Sequence, residues 1–208
     1  MIFKIIKIDD QSRLKKLEKI KKSFLSKKKD DISLFHFQEV KKDMFHTVFH
    51  LNDEYLMGTK KIGNQTSVPF SQYINFFFFK NSRFCLIENT DTVYFNEIKN
   101  YISSKTHEQI QEYTLNKNDF SNIVNRLGGF IKKIEYSNGE DDYEKGFSSI
   151  EDFNVINKDY FIDYVSLNNN EYFISIYKSG KVSVSNSDED YLIDFAEVIV
   201  DELENHSI

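Results

Sequence analysis

The sequence predicts an α+β protein: a mainly antiparallel sheet with a basic N-terminal helix and an acidic C-terminal helix. Three observations carry this. Short apolar runs recur between turn-forming residues, three stretches place apolar side chains at helical spacing, and charge is divided along the chain. Residues 1–50 hold 13 Lys+Arg against 7 Asp+Glu and residues 139–208 hold 4 against 17, within a formal total of -6. A basic face can therefore meet an anionic partner on a protein that is acidic in sum.

The elements follow in order. MIFKIIKI, with Ile2, Ile5, Ile6 and Ile8, reads as a first strand. From Gln11 to about Lys28 the apolar residues Leu14, Leu17, Ile20, Phe24 and Leu25 form one stripe opposite Arg13, Lys15, Lys16, Lys19 and Lys22, with Asp9 and Asp10 placed to cap. MFHTVFHL and EYLMGTKKI, on either side of Asn52 and Asp53, read as a hairpin through Asx turn chemistry. A second hairpin joins Tyr73–Lys80 to Arg83–Glu88, and its near-continuous hydrophobicity marks the sheet centre. Glu108 to Leu115 can form a strand. Asn118 or Asp119 then caps a helix facing Phe120, Ile123, Val124 and Leu127 inward and ending at Gly128-Gly129, after which FIKKIEY is a strand.

SNGEDDYEKG, Ser137 to Gly146, has the composition of an exposed loop. It is the expected boundary between a 1–136 N-terminal α+β region and a 147–208 β-meander plus helix, the two packed as one unit. YFIDYVSL, EYFISIYK and KVSVS read as the three meander strands. SDEDYLIDFAEVIVDELE closes as a helix capped by Ser187 or Asp188, with Leu192, Phe195, Ala196, Ile199 and Leu203 inward.

Composition bounds the function. The chain has 20 Phe and 12 Tyr but no Trp, 1 Pro and a single alanine, Ala196, the usage of an AT-rich bacterial or phage genome. The one cysteine, Cys85, allows no intramolecular disulfide and no CxxC motif, which suits a reducing cytoplasm. The first residues are too short an apolar run for a signal peptide, and no stretch reaches the roughly 18 apolar residues of a membrane span, so no membrane partner is expected.

Candidate chemistry is sparse. His46 and His50 are four apart, but their neighbours favour a strand, where that spacing covers about 13 Å, too far for one metal ion. Glu97-Ile98-Lys99 matches the short E-x-K element of nucleases, with Asp91 upstream, yet reads better as the surface of an amphipathic segment carrying Tyr94, Ile98, Tyr101 and Ile102. Cys85 reads as a buried, inert thiol, and Gly128-Gly129 follows a helix instead of opening one as a phosphate loop does. No catalytic residue, cofactor or metal is therefore expected, and the protein is read as non-enzymatic.

Two binding roles remain. Arg13, Lys15, Lys16, Lys19, Lys22, Lys27, Lys28 and Lys29 suit the phosphate backbone of double-stranded DNA, which asks only for nearby cations. Alternatively, Asp188, Glu189, Asp190, Asp201, Glu202 and Glu204 form an acidic, DNA-mimicking surface for a basic protein partner.

The order VPFSQYINFFFFKNSRFCLIENTDTVYFNEIKNYI, IQEYTLNKNDF, GGFIKKIEYSN, YVSLNNNEYFISIYKSGKVSVSN and a closing acidic helix, across residues 44–204, resembles the layout of the phage-exclusion A proteins of the lambda Rex type and similar phage-defence accessory proteins. The resemblance is one of layout, without a shared motif, and transfers no functional residue. It implies a non-enzymatic DNA-binding component of phage defence, acting as a homodimer with a protein effector.

Overall fold

The computed structural model describes residues 1–20, 31–58, 63, 65–169 and 172–205. Among them one antiparallel sheet runs in the order β2-β3-β4-β5-β1-β11-β10-β9-β7-β8, with a short β6 beside β1. Its strands are β1 (Ile2–Ile8), β2 (Ile32–Lys41), β3 (Met44–Gly58), β4 (Gln65–Phe79), β5 (Phe84–Glu88), β6 (Ile110–Glu112), β7 (Phe130–Ser137), β8 (Asp142–Ser148), β9 (Phe161–Asn169), β10 (Tyr172–Tyr177) and β11 (Lys181–Val184). The helices are α1 (Lys16–Ile20), entered through a 3₁₀ turn at Gln11–Lys15, α2 (Thr92–Thr106), α3 (Lys117–Leu127), α4 (Ile150–Asp159) and α5 (Glu189–Asn205). The fold is thus α+β with an antiparallel sheet.

The two halves of the sheet are covered on opposite faces. Strands β7, β9, β10 and β11 turn Ile134, Val165, Ile174 and Val182 into a core roofed by α3, α4 and α5. Strands β2, β3 and β4 turn Ile32, Phe49, Ile74 and Phe76 the other way, into a second core under α1 and α2. Only β1 and β5 feed both cores substantially: Phe3, Ile5, Phe84 and Leu86 point to the first, and Ile6, Ile8, Cys85 and Ile87 to the second. This is why IFKIIKI and FCLIE carry apolar residues on both phases of the pleat.

Local chemistry explains several boundaries. Asn116, rather than Asn118 or Asp119, caps α3; its side chain accepts from the Asn118 and Asp119 amides while the Asp119 carboxylate accepts from the Asn116 amide. Ser149 and Asp152 make the same reciprocal cap on α4, a helix the periodicity alone does not announce. Asp188 caps α5, its carboxylate accepting from the Tyr191 amide at 3.0 Å.

Two turn assignments are corrected. Asn52 and Asp53 do not turn: they pair with Ser71 and Phe70 inside one continuous ladder from Met44↔Phe79 to Gly58↔Gln65, so cross-strand pairing overrides local Asx preference. The true turn lies at Lys42-Asp43, where Asp43 adopts a φ of 61° and the preceding strand is β2. Residues 137–146 are not a long loop either. Asn138 accepts from the Glu140 and Asp141 amides in a tight turn, and β8 starts at Asp142. The expected helix to Lys28 is described only as far as Ile20, so Phe24 and Leu25 lie outside the described residues.

Candidate interaction surface

Of the eight expected DNA-contacting residues, Lys22, Lys27, Lys28 and Lys29 lie outside the described residues. The other four divide by role. Arg13 is a clasp: its Nη1 meets buried Glu108 at 2.9 Å and its Nε meets Asp10 at 3.3 Å. Asp10 is held below the usual carboxylate range chiefly by the Ser12 hydroxyl. Lys15 lays its ammonium 4.6 Å from the centre of the Phe45 ring, leaving Lys16 and Lys19 as the exposed cations of α1.

Several carboxylates of α5 pair with partners supplied by distant elements. Lys41 bridges Asp194 and Glu197, and these hydrogen bonds, that of Asp194 first, raise the lysine above its ordinary value. Glu202 meets Arg126 at 3.6 Å, and Glu204 accepts from the Ser82 hydroxyl at 3.0 Å and the Arg83 amide at 2.9 Å. The acids that oppose the dipole at the end of α5 are thus in part tethers of helix to sheet.

A polar network crosses the side of β3 and β4 that faces away from α1 and α2. His46 is buried, stacks on Phe77 at 4.6 Å, and reaches Glu189 through Nδ1 at 3.2 Å and the Asn75 amide oxygen through Nε2 at 2.9 Å. The Asn75 side-chain nitrogen donates to Glu88 at 2.6 Å. His50 takes different partners, with Nε2 2.6 Å from the Ser71 hydroxyl and Nδ1 3.3 Å from the Asn52 side chain, and it stacks on Tyr73. Among the described residues no group of three or more His, Cys, Asp or Glu could hold a metal ion. Glu97 and Lys99 lie on α2, where residues two apart point to different sides, and Lys99 turns to Glu112 at 3.4 Å. Cys85 is buried.

The surface that sequence reasoning missed is an arm. Strand β2 last pairs with β3 at Ile32↔Leu51, and β5 pairs with β4 only from Phe76, so among the described residues Asn52–Gly58 and Gln65–Ser71 continue as a two-stranded ribbon. Directly opposed residues share a face, which puts Tyr55 and Val68 on one side with Met57, Asp53 and Phe70, and Leu56 on the other. These side chains are open to solvent: Tyr55 is 52% exposed, Leu56 71%, Met57 60% and Val68 37%.

The arm is anchored at its root. Phe70 lies 5.0 Å from Tyr55 and stacks at 5.8 Å on Tyr94 of α2. The Tyr94 hydroxyl donates to Asp53 at 2.6 Å, a bond that pushes the phenol up to about 12 and holds the carboxyl low. Beside it, a cavity of about 460 Å³ is lined by Asp31, Asp53, Glu54, Pro69 and Phe70 among others. Pro69, the only proline, fits there because β4 has no further neighbour needing its missing N–H. The one sequence signal for the arm was YLM, three apolar residues in a row that a half-buried strand would not place on both faces.

No helix among the described residues is long and apolar enough to cross a membrane. Compared with known proteins, the chain matches no family model and no curated protein.

Proposed function

We propose that this chain is a non-enzymatic interaction module whose β3–β4 arm docks on a protein partner. One observation carries the proposal: the arm extends past its neighbouring strands while exposing Tyr55, Leu56, Met57 and Val68. A two-stranded hairpin is marginal in water unless a third strand or a packed surface supports it. Each large apolar side chain moved from water into an interface contributes about 1.5–3 kcal/mol before association costs. A docked partner therefore supplies what the arm lacks. The resemblance in layout to phage-exclusion proteins implies a DNA-binding component that acts with an effector, and phage defence is the setting we propose.

The test is a photo-crosslinker at Thr66, opposite Met57 on the arm. In cells of the source it should give a discrete protein adduct that disappears when Tyr55 and Val68 are changed to Lys. A smear, or an adduct indifferent to those changes, would remove the arm from function.

A second reading, binding to the DNA backbone, is favoured by exposed Lys16 and Lys19 at the start of the lysine-rich stretch. Fluorescence anisotropy with duplex DNA should then show binding that weakens steeply between about 50 and 200 mM salt and is lost on changing both lysines to Glu. Absence of binding at low salt would end that reading.

A further inference from the structure

Where the start of β9 and the end of β10 reach the start of α3 lies a cavity of about 220 Å³, to which the arm contributes nothing. Its floor is apolar, since Leu115, Phe120 and Ile162 are each at most 3% exposed. Its rim has the opposite chemistry. There the half-exposed Phe161 is approached by two lysines, the Lys117 ammonium at 4.9 Å and the Lys178 ammonium at 5.7 Å from the ring centre.

The walls are held by bonds that need no ligand. The Leu115 amide donates to the Lys178 carbonyl and the Lys178 amide to that of Asp163, each at 2.9 Å. From α4, the Asn157 side chain donates to the Lys117 carbonyl at 2.8 Å. The approach to α3 is thereby tied to α4, β9 and β10, and the cavity is formed in advance, as sites for small molecules usually are.

The charges at the rim do not balance. Lys178 meets Asp163 at 3.1 Å, whereas Lys117 donates to the Lys158 carbonyl at 3.2 Å and meets no carboxylate among the described residues. The acid in the first turn of α3, Asp119, is buried and taken up by the Tyr113 hydroxyl and the Asn116 amide. Two ammonium groups thus converge on one ring with a single carboxylate for the pair.

We propose that this cavity binds a small amphipathic anion, a monocarboxylate with an apolar body. The body lies on Leu115, Phe120 and Ile162, and the carboxylate accepts charge-assisted hydrogen bonds from Lys117 and Lys178. Size fixes the class: about 150 Å³ suffices for a benzene ring, so this cavity takes a body of about six to eight carbons. Inorganic phosphate would answer the lysines and leave the floor empty, and a hydrocarbon would do the reverse.

Titration of the purified full-length chain with octanoate, followed through its methyl resonances, tests this. The Leu115 and Ile162 signals should shift and saturate while that of Leu56, exposed on the arm, stays in place. Octanol, the same body without the charge, and acetate, the charge without the body, should each bind at least about tenfold more weakly. Lys117→Gln should weaken octanoate by about tenfold. Asp163→Asn, which removes the competing carboxylate, should tighten it by about threefold. Both substitutions are at the rim, and unchanged methyl signals elsewhere show that the fold is kept. Octanoate that causes no saturable shift at Leu115 and Ile162, that moves Leu56 instead, or that binds no better than octanol overturns the proposal, as does equal affinity in the wild type and the Lys117→Gln chain.

Discussion

His46 on β3 and Glu189 in the first turn of α5 meet at 3.2 Å, Nδ1 to Oε1, joining the helix that roofs one half of the sheet to a strand of the other half. The Asn75 amide is oriented by its donation to Glu88, so its oxygen faces His46 Nε2 and both ring nitrogens look at acceptors.

His46→Ala should therefore be among the costliest polar substitutions, at about 2–4 kcal/mol, because it removes the stack on Phe77 and leaves the Asn75 oxygen without its donor. His46→Gln, which keeps a donor in reach, should recover part of this. Urea midpoints for both variants and for Glu189→Ala check it, and a double-mutant cycle in which His46 and Glu189 changes simply add would show that the contact contributes nothing.

Asp201 gives a pH dependence of defined sign. Burial first, then Glu197 and Glu202, raise its carboxyl above the ordinary 3.8. A raised acid favours the fold while protonated, and that contribution is lost as pH rises through the folded-state value. At neutral pH the ionised form is thus a liability. Asp201→Asn should melt higher than wild type at pH 7, with the gap narrowing as pH falls toward 3.8. A gap that is constant with pH would point to packing rather than charge.

The glycines separate conformational strain from space. Gly180 turns β10 into β11 at a φ of +75°, and a Cβ there would stand 1.9 Å from the Tyr113 carbonyl oxygen. Gly139 has a φ of +98° with nothing within 4 Å. Gly139→Ala should cost about 1–2 kcal/mol from the backbone alone and Gly180→Ala clearly more. Equal losses in thermal melting would mean the Gly180 turn can shift to accept a methyl group.

Phe147 is strained in the opposite sense. It adopts a φ of 51° while 74% exposed, and its ring contacts little beyond Phe130 at 6.1 Å and Lys132 at 5.4 Å. Asn tolerates that conformation far better than an aromatic residue. Phe147→Asn should stabilise the chain by up to about 1 kcal/mol in chemical denaturation, and a loss would show that the ring contacts outweigh the strain.

What was legible in the sequence follows physical range. The doubly covered strands β1 and β5, the α3 stop at Gly128-Gly129, the C-terminal meander and the inward stripe of α5 all announce themselves through local patterns. Strand β2 did not, because shifts in register at Leu34/His36 and Glu39/Lys41 break its alternation. The arm was hidden by Asn52-Asp53, whose preference for a turn yields to pairing with residues nearly twenty positions away. The acids of α5 were legible as charge but not as tethers, since their partners Lys41, His46, Arg83 and Arg126 come from three other parts of the chain.

The central seam also sets a timetable. Ile2 sits opposite Ser183, so β1 is made about 180 residues ahead of its neighbour β11. At the usual pace of translation this leaves roughly ten to thirty-five seconds between the two. During that interval Phe3 and Ile5 face a core whose roof, α5, has not yet been synthesised. Until β11 and α5 are made, the nascent chain must keep that edge of β1 from pairing elsewhere.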